Sequence, residues 1–151
     1  MKIISHRGNL SGPNPKGENK ESYILRALNL GFDVEIDLWY IDNDIYLGHD
    51  EPQYKPSSEL IFYYHNRLWV HAKNLNALTF LVENKNLLNG FYHYNDKYTL
   101  TTKGYIWTYP GEKINSKCVI VSDGTGTEES IDDPFGICTD YPIELQSFLK
   151  K

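Results

Sequence analysis

The sequence predicts an α/β fold built on a parallel sheet, and three observations carry that expectation. Strand-like and helix-like segments alternate, short apolar runs being followed by stretches with apolar residues at helical spacing. Within 32–41 apolar and acidic residues alternate, with Phe32, Val34, Ile36 and Leu38 on one side and Asp33, Glu35 and Asp37 on the other. The 151 residues are 40% hydrophobic and 14% aromatic, which suits one globular domain with a real core, so a single domain spanning 1–151 is expected.

Taken in order, residues 2–5 are a short apolar strand. Tyr23, Ile24, Ala27, Leu28 and Leu30 then give 18–30 a helical spacing that Gly31 closes. After the strand at 32–41, Asp42-Asn43-Asp44 reads as a tight turn into a strand-like run at 45–49. Helix at 57–64, strand at 68–73, helix at 77–83 and strand at 90–94 continue the βαβ rhythm. Three further strands are expected at 105–108, 118–122 and 136–139, before a closing helix at 143–149. The connector 109–117 holds Pro110-Gly111, and 123–135 is rich in Gly, Thr, Glu and Asp; neither has the pattern of a crossover helix. A complete eight-fold barrel takes about 250 residues and at least about 200. A barrel of this length has therefore shed helices or a strand, and about seven main strand positions and four helices can be counted.

The formal net charge of −5 and a pI near 5.5 offer no electrostatic reason to expect nucleic acid as a partner. Cys118 and Cys138 sit in apolar segments without ligand spacing and read as buried free thiols. The N-terminus lacks the apolar stretch of a signal peptide, and no run approaches a membrane span. A cytoplasmic location is expected by elimination.

The chemistry gathers at strand ends, in His6-Arg7-Gly8, Glu35-Ile36-Asp37 and Gly48-His49-Asp50. Glu35 and Asp37 project to one side with Cα atoms roughly 6.6 Å apart. That spacing lets both grip one hard cation such as Mg²⁺, Ca²⁺ or Mn²⁺, although a solvated acidic face has the same pattern. Either histidine alone is more often a capping or core residue than a catalytic one, but two beside a carboxylate pair can donate and accept protons near neutral pH. His71 and Lys73 share one face of their strand. Lys73 either binds phosphate or reaches solvent from the strand end. Tyr92, Tyr94, Tyr105 and Tyr109 are expected to seal the core in place of missing helices rather than to line a substrate mouth. His65 reads as a surface residue and His93 as a strand residue rather than a ligand.

These residues resemble the glycerophosphodiester phosphodiesterases, within the wider phosphatidylinositol-phospholipase-C-like superfamily. The resemblance runs through His6-Arg7-Gly8, Glu18-Asn19, Glu35-Ile36-Asp37, Gly48-His49-Asp50 and Gly136-Ile137-Cys138-Thr139-Asp140-Tyr141-Pro142, with Trp107-Thr108 between. It implies a reduced (β/α) TIM-type barrel of about seven parallel strands with several helices missing or shortened, and divalent-metal-dependent cleavage of a small-molecule phosphodiester at the barrel mouth. Carried over, His6 and His49 are the acid/base pair, Glu35 and Asp37 metal ligands, Arg7 the phosphate ligand, and Trp107 a substrate-facing residue. The family's Glu-x-Lys on the third strand is here His71 and Lys73. His71 then becomes the third metal ligand and Lys73 a phosphate contact, and imidazole in place of carboxylate weakens Ca²⁺ or Mg²⁺ while favouring Mn²⁺ or a later transition metal. The chain is also shorter than the family's usual barrel.

Three functions follow. The first is hydrolysis of a glycerophosphodiester or related phosphodiester, a reaction of lipid metabolism. The alternative is a non-catalytic module that keeps a metal and phosphate pocket, motivated by His71 and the reduced length. The third is a partner interface, since a barrel lacking helices exposes apolar faces that invite homo-oligomers.

Overall fold

The computed structural model describes residues 1–128 and 132–151. The elements are β1 (Lys2–His6), α1 (Glu21–Asn29), β2 (Asp33–Ile41), β3 (Asp44–Leu47), α2 (Ser58–Tyr63), a 3₁₀ turn (His65–Arg67), β4 (Leu68–Ala72), α3 (Leu75–Glu83), β5 (Asn89–Phe91), β6 (Tyr98–Leu100), β7 (Ile106–Thr108), β8 (Cys118–Val121), β9 (Gly136–Thr139) and α4 (Pro142–Leu149). Seven strands run parallel in the order β5-β4-β2-β1-β9-β8-β7, and β3 and β6 pair antiparallel with β2 and β7.

This sheet curls into a nearly closed barrel. Its seam lies between β5 and the β6–β7 hairpin, where the Thr102 amide donates to the Gly90 carbonyl at 2.8 Å and the Gly90 amide donates to Thr102 Oγ1 at 2.8 Å. Across the same seam the Phe91 and Trp107 rings stack at 4.3 Å. Inward-facing Ile4, Trp69, Phe91, Trp107, Val119 and Cys138 fill the barrel, as side-chain layers fill any small barrel. A second core packs Ile24, Ala27 and Leu28 of α1 and Leu60, Ile61, Ala77 and Leu81 of α2 and α3 against Val34, Ile36, Leu38 and Val70 of the sheet. These apolar positions are the outward half of the alternation read from β2, and burial of both faces is what a barrel strand requires.

No described helix joins β7 to β8 or β8 to β9. Loop backbone covers the outer face there: a Cβ on Gly126 would lie 2.8 Å from Ile137 Cγ2, so only a glycine fits against the sheet. The connector expected at 123–135 includes 129–131, which lie outside the described residues. The two cysteines are free and buried.

Two larger boundary differences and one unexpected strand stand out from smaller shifts at the element ends. α1 starts at Glu21 instead of 18, because Asn19 is left-handed (φ 61°) and its amide donates to the Arg7 carbonyl at 3.0 Å, drawing the preceding loop over the barrel. The strand expected at 90–94 ends at Phe91, and the freed segment crosses the barrel mouth. β6 was not expected; three residues after a polar turn carry too little periodicity to register.

Hairpin geometry positions the second histidine. Asp42 and Asn43 both have positive φ (50° and 66°), the pattern of a two-residue hairpin loop matched to strand twist. β1 stops at the His6–Glu35 pair, and β3 pairs with β2 from Leu38 onward. The chain returning along β3 therefore delivers His49 to the end of β1. There Gly48 holds φ 154°, its amide donates to the Asp37 carbonyl at 3.2 Å, and an added Cβ would sit 2.1 Å from the Glu51 carbonyl oxygen. Gly48→Ala is expected to destabilise the protein by about 2 kcal/mol or more, read by denaturant unfolding, and to move His49 off the mouth.

Candidate active site

The carboxylate face of β2 points into the barrel, with Asp33 at the base, Glu35 in the middle and Asp37 at the mouth, all buried. A cavity of about 540 Å³ opens above them, lined by His6, Arg7, Glu35, His49, His71 and Lys73 on one side and by Phe91, His93, Tyr94, Trp107 and Tyr109 on the other. Residues from β1, β2, β4 and the β3–α2 loop, far apart in sequence, therefore meet at one barrel end, where parallel strands terminate in such folds.

Asp37 is the hub. Its Oδ2 accepts from Asn19 Nδ2 at 2.9 Å and lies 3.1 Å from Arg7 Nε and 3.4 Å from His49 Nδ1. Its Oδ1 lies 3.1 Å from His71 Nδ1 and 3.5 Å from Lys73 Nζ. Burial opposes the charge on Asp37, but the imidazoles of His49 and His71 and the Arg7 guanidinium outweigh it and hold the carboxyl well below its usual range. Asn19 clamps the residue from both ends, its Oδ1 accepting the Asp37 amide at 2.9 Å.

Glu35 is the opposite case. Burial, followed by the neighbouring Asp37 charge, raises its carboxyl above the usual range, and its Oε2 is buried without a hydrogen-bond partner. An orphaned buried oxygen is uncommon in native interiors and points to an absent cation or water. Glu35, Asp37 and His71 each offer one ligand atom, all within 4.8 Å of one another. His71 Nε2 contacts the His93 carbonyl at 2.9 Å and must donate there, since a carbonyl only accepts. That outer hydrogen bond turns Nδ1 toward the carboxylates, an arrangement typical of metal-binding imidazoles. The donor set, two carboxylates and one imidazole, fits a divalent cation.

Each histidine at the mouth has a carboxylate beside its Nδ1. His6 Nδ1 is hydrogen-bonded to Asp140 Oδ1 at 2.9 Å, which leaves Nε2 toward Glu35 and the cavity, whereas His49 Nδ1 lies 3.4 Å from Asp37 Oδ2 and its Nε2 3.4 Å from Arg7 Nη2. Burial lowers the His6 pKa, but the Asp140 hydrogen bond and the Glu35 charge overcome it and the net shift is upward. Asp140 in turn accepts from Asn9 Nδ2 at 2.7 Å, while Asn9 also donates to Glu18 at 2.9 Å and Glu18 accepts from Arg7 Nη1 at 3.1 Å. Arg7 has φ 54°, a strained conformation for a residue with a side chain, which the Glu35 carbonyl (3.0 Å to its amide) and Asn19 hold in place.

Burial works against the Asp140 charge, yet its bond to His6 takes the carboxyl below the usual range. A lowered carboxyl stabilises the fold above its unfolded pKa of about 3.9 and loses that contribution as pH falls through the folded value. Asp140→Asn is therefore expected to be less stable than wild type at neutral pH, with the gap shrinking toward zero as pH falls below about 4; urea unfolding across pH reads it out.

His6, Arg7, Glu35, Asp37, His49, His71 and Lys73 lie together at the barrel mouth. Trp107 reaches the cavity mainly as a buried wall, 4% exposed. The tyrosines divide: Tyr105 packs on Phe135 inside the barrel at 4.1 Å, whereas Tyr94 and Tyr109 line the cavity. His93 also lines it instead of lying in a strand. Asn9, Asn19, Glu18, Asp140 and His93 received no role from the sequence; the nearest signal was the presence of Glu18-Asn19 and Asp140 within the family-like motifs.

No protein-family model matches the sequence, and no curated protein matches it. Solved structures do. A glycerophosphodiester phosphodiesterase from Agrobacterium tumefaciens str. C58 superposes with a TM-score of 0.64 at 14% identity, covering 100% of both chains. One from Parabacteroides distasonis ATCC 8503 gives 0.57 at 13% identity over 99% of this chain and 96% of that one, and a second from the same organism gives 0.56 at 14% over 99% and 86%. From end to end, this chain has the fold of the glycerophosphodiester phosphodiesterases, a TIM-type barrel, in reduced form.

Proposed function

We propose that the chain is a metal-dependent phosphodiesterase that hydrolyses a glycerophosphodiester or related small phosphodiester. The observation that carries this reading is a single cavity holding two carboxylate-anchored histidines, two cations and an orphaned buried carboxylate oxygen. Glu35, Asp37 and His71 would hold the divalent ion, Mg²⁺, Ca²⁺ or Mn²⁺. When bound, that ion supplies Lewis-acid polarisation of a phosphoryl oxygen.

The chain's own groups account for the remaining steps. Arg7 and Lys73, drawn toward the mouth by Asp37, bind the non-bridging phosphate oxygens and offset the charge that builds on them. Arg7 suits this role because its planar fork donates to two oxygens at once. One of His6 and His49 takes a proton from the attacking hydroxyl and the other gives one to the departing alcohol. Asp140 and Asp37 orient the rings and stabilise each imidazolium as it forms, and the aromatic wall with Trp107 faces the substrate.

The reading includes a single domain over 1–151, a cytoplasmic location and partners limited to the small substrate, with homo-oligomers open through exposed apolar side chains such as Phe62, Tyr63 and Leu100. Among the described residues, no helix is long and apolar enough to cross a membrane. The non-catalytic reading is favoured by one observation, that Arg7 and Lys73 already neutralise Asp37. Incubating glycerophosphoinositol and glycerophosphocholine with Mg²⁺, Ca²⁺ or Mn²⁺ and measuring released glycerol phosphate separates the two. Release that a chelator stops supports hydrolysis; metal and phosphate binding without release across the panel supports the binding module.

A further inference from the structure

The opposite end of the barrel holds a second cavity, of about 300 Å³, which shares no lining residue with the one at the mouth. Its wall is built where the parallel strands begin: Lys2 of β1, Asp33 of β2, Trp69 of β4, Asn89 of β5, and Lys103 and Tyr105 just ahead of β7. Aromatic rings stand between the two cavities, Trp69 packing on Tyr105 at 5.3 Å and Tyr105 on Phe135 at 4.1 Å. The chemistry proposed for the mouth uses none of the polar groups at this base.

Asn89 is the feature that sets the base apart. It is 8% exposed, and strand alternation puts it on the inward face with Phe91, since Gly90 between them backs onto Leu81 of α3. Its Oδ1 is buried with no hydrogen-bond partner. An unpaired buried carboxamide oxygen burdens a fold, and a leucine of similar size would fill the place without that cost, so the polar group points to a ligand. The surrounding charge selects which. Asp33 is the one acidic residue of the wall among those described, and it is already met by Lys2 Nζ at 3.2 Å, Arg67 Nε at 3.5 Å and the Trp69 Nε1 hydrogen bond at 3.3 Å. Lys103 Nζ donates only to the Asn86 carbonyl, at 2.6 Å, and pairs with no carboxylate among the described residues. In a chain of net charge −5, this wall therefore carries a positive surplus.

We propose that the basal cavity binds a small oxyanion that also carries a hydroxyl, such as a hydroxylated phosphate monoester, with Lys2 and Lys103 meeting the anion and Asn89 Oδ1 accepting from the hydroxyl. The volume sits at the lower end of the roughly 300–1,000 Å³ of small-molecule sites. Asn89 and Lys103 lie on opposite sides of the barrel seam, beside the Thr102–Gly90 hydrogen bond, so the ligand also braces the closure of the barrel. The proposal stands independently of the phosphodiesterase reading.

Glycerol phosphate and inorganic phosphate are titrated, with chelator present, into isotope-labelled protein, and amide signals of Asn89, Lys103 and Tyr105 report the base while those of Arg7 and His49 report the mouth. Glycerol phosphate is expected to shift the basal signals with an affinity about tenfold tighter than inorganic phosphate, the equivalent of one well-made hydrogen bond, and to slow hydrogen exchange of the Thr102 amide. Lys103→Ala, at an exposed position, should weaken both ligands at the base by about tenfold. Asn89→Leu should be at least as stable to urea as wild type and bring the two affinities together. Shifts confined to the mouth, equal affinities in wild type, basal binding that Lys103→Ala or Asn89→Leu leaves as it was, unchanged exchange at Thr102, or a less stable Asn89→Leu overturns the proposal.

Discussion

Replacing Glu35 by Gln is expected to lower kcat/KM by about 10³-fold while leaving the metal-free protein as stable as wild type or more so. The two effects have one cause. Glu35 is buried, its carboxyl raised by burial and by Asp37, and its Oε2 has no donor, so in the metal-free protein its charge is a burden. Glutamine keeps the shape and removes that charge, yet it also removes the oxygen best placed to meet a cation. Losing even an outer partner of a metal ligand typically costs about 10–100-fold in affinity or activity, and loss of a ligand exceeds that. Urea unfolding with chelator present, Mn²⁺ titration and steady-state kinetics on one preparation test the combination. Unaltered kinetics would remove Glu35 from the chemistry, and collapse of the fold would make it a structural residue.

His6→Ala and His49→Ala are expected to lower kcat by about 10²–10⁴-fold each, the usual contribution of general acid–base groups. A second substrate distinguishes their roles. A nitrophenyl diester has a leaving group that departs without a proton, so the variant lacking the general acid should recover most of its rate and the variant lacking the general base should not. The anchors differ enough for this to be informative, since His6 leans on half-buried Asp140 and His49 on fully buried Asp37. Equal recovery of both variants, or of neither, would contradict a division of labour between them.

How much of this was legible in the sequence depended on range. β2 could be read directly because its period-two alternation is local, and its two faces became the two cores. The hairpin followed from Asp42-Asn43 for the same reason. Asp140 and Asn9 meet across 131 positions, and no local pattern records a partner at that distance. Asn19 misled the helix boundary because its left-handed backbone serves Asp37 and Arg7 rather than its neighbours in the chain. His93 reads as a strand residue because the strand-like pattern runs to residue 94, but β5 stops three residues earlier and only the closed barrel turns the remainder over the cavity. That no described helix follows β7 or β8 agrees with connectors lacking an amphipathic period, but the closing of the seam by Thr102 and the Phe91–Trp107 stack has no such local sign.

A crystal structure with Mn²⁺ soaked in, phased to show the metal by its anomalous scattering, tests the central claim most directly. The account predicts a peak within coordination distance of Glu35, Asp37 and His71, with His71 still hydrogen-bonded to the His93 carbonyl. A cluster without the metal at millimolar Mn²⁺, or a peak held by other residues, would contradict it.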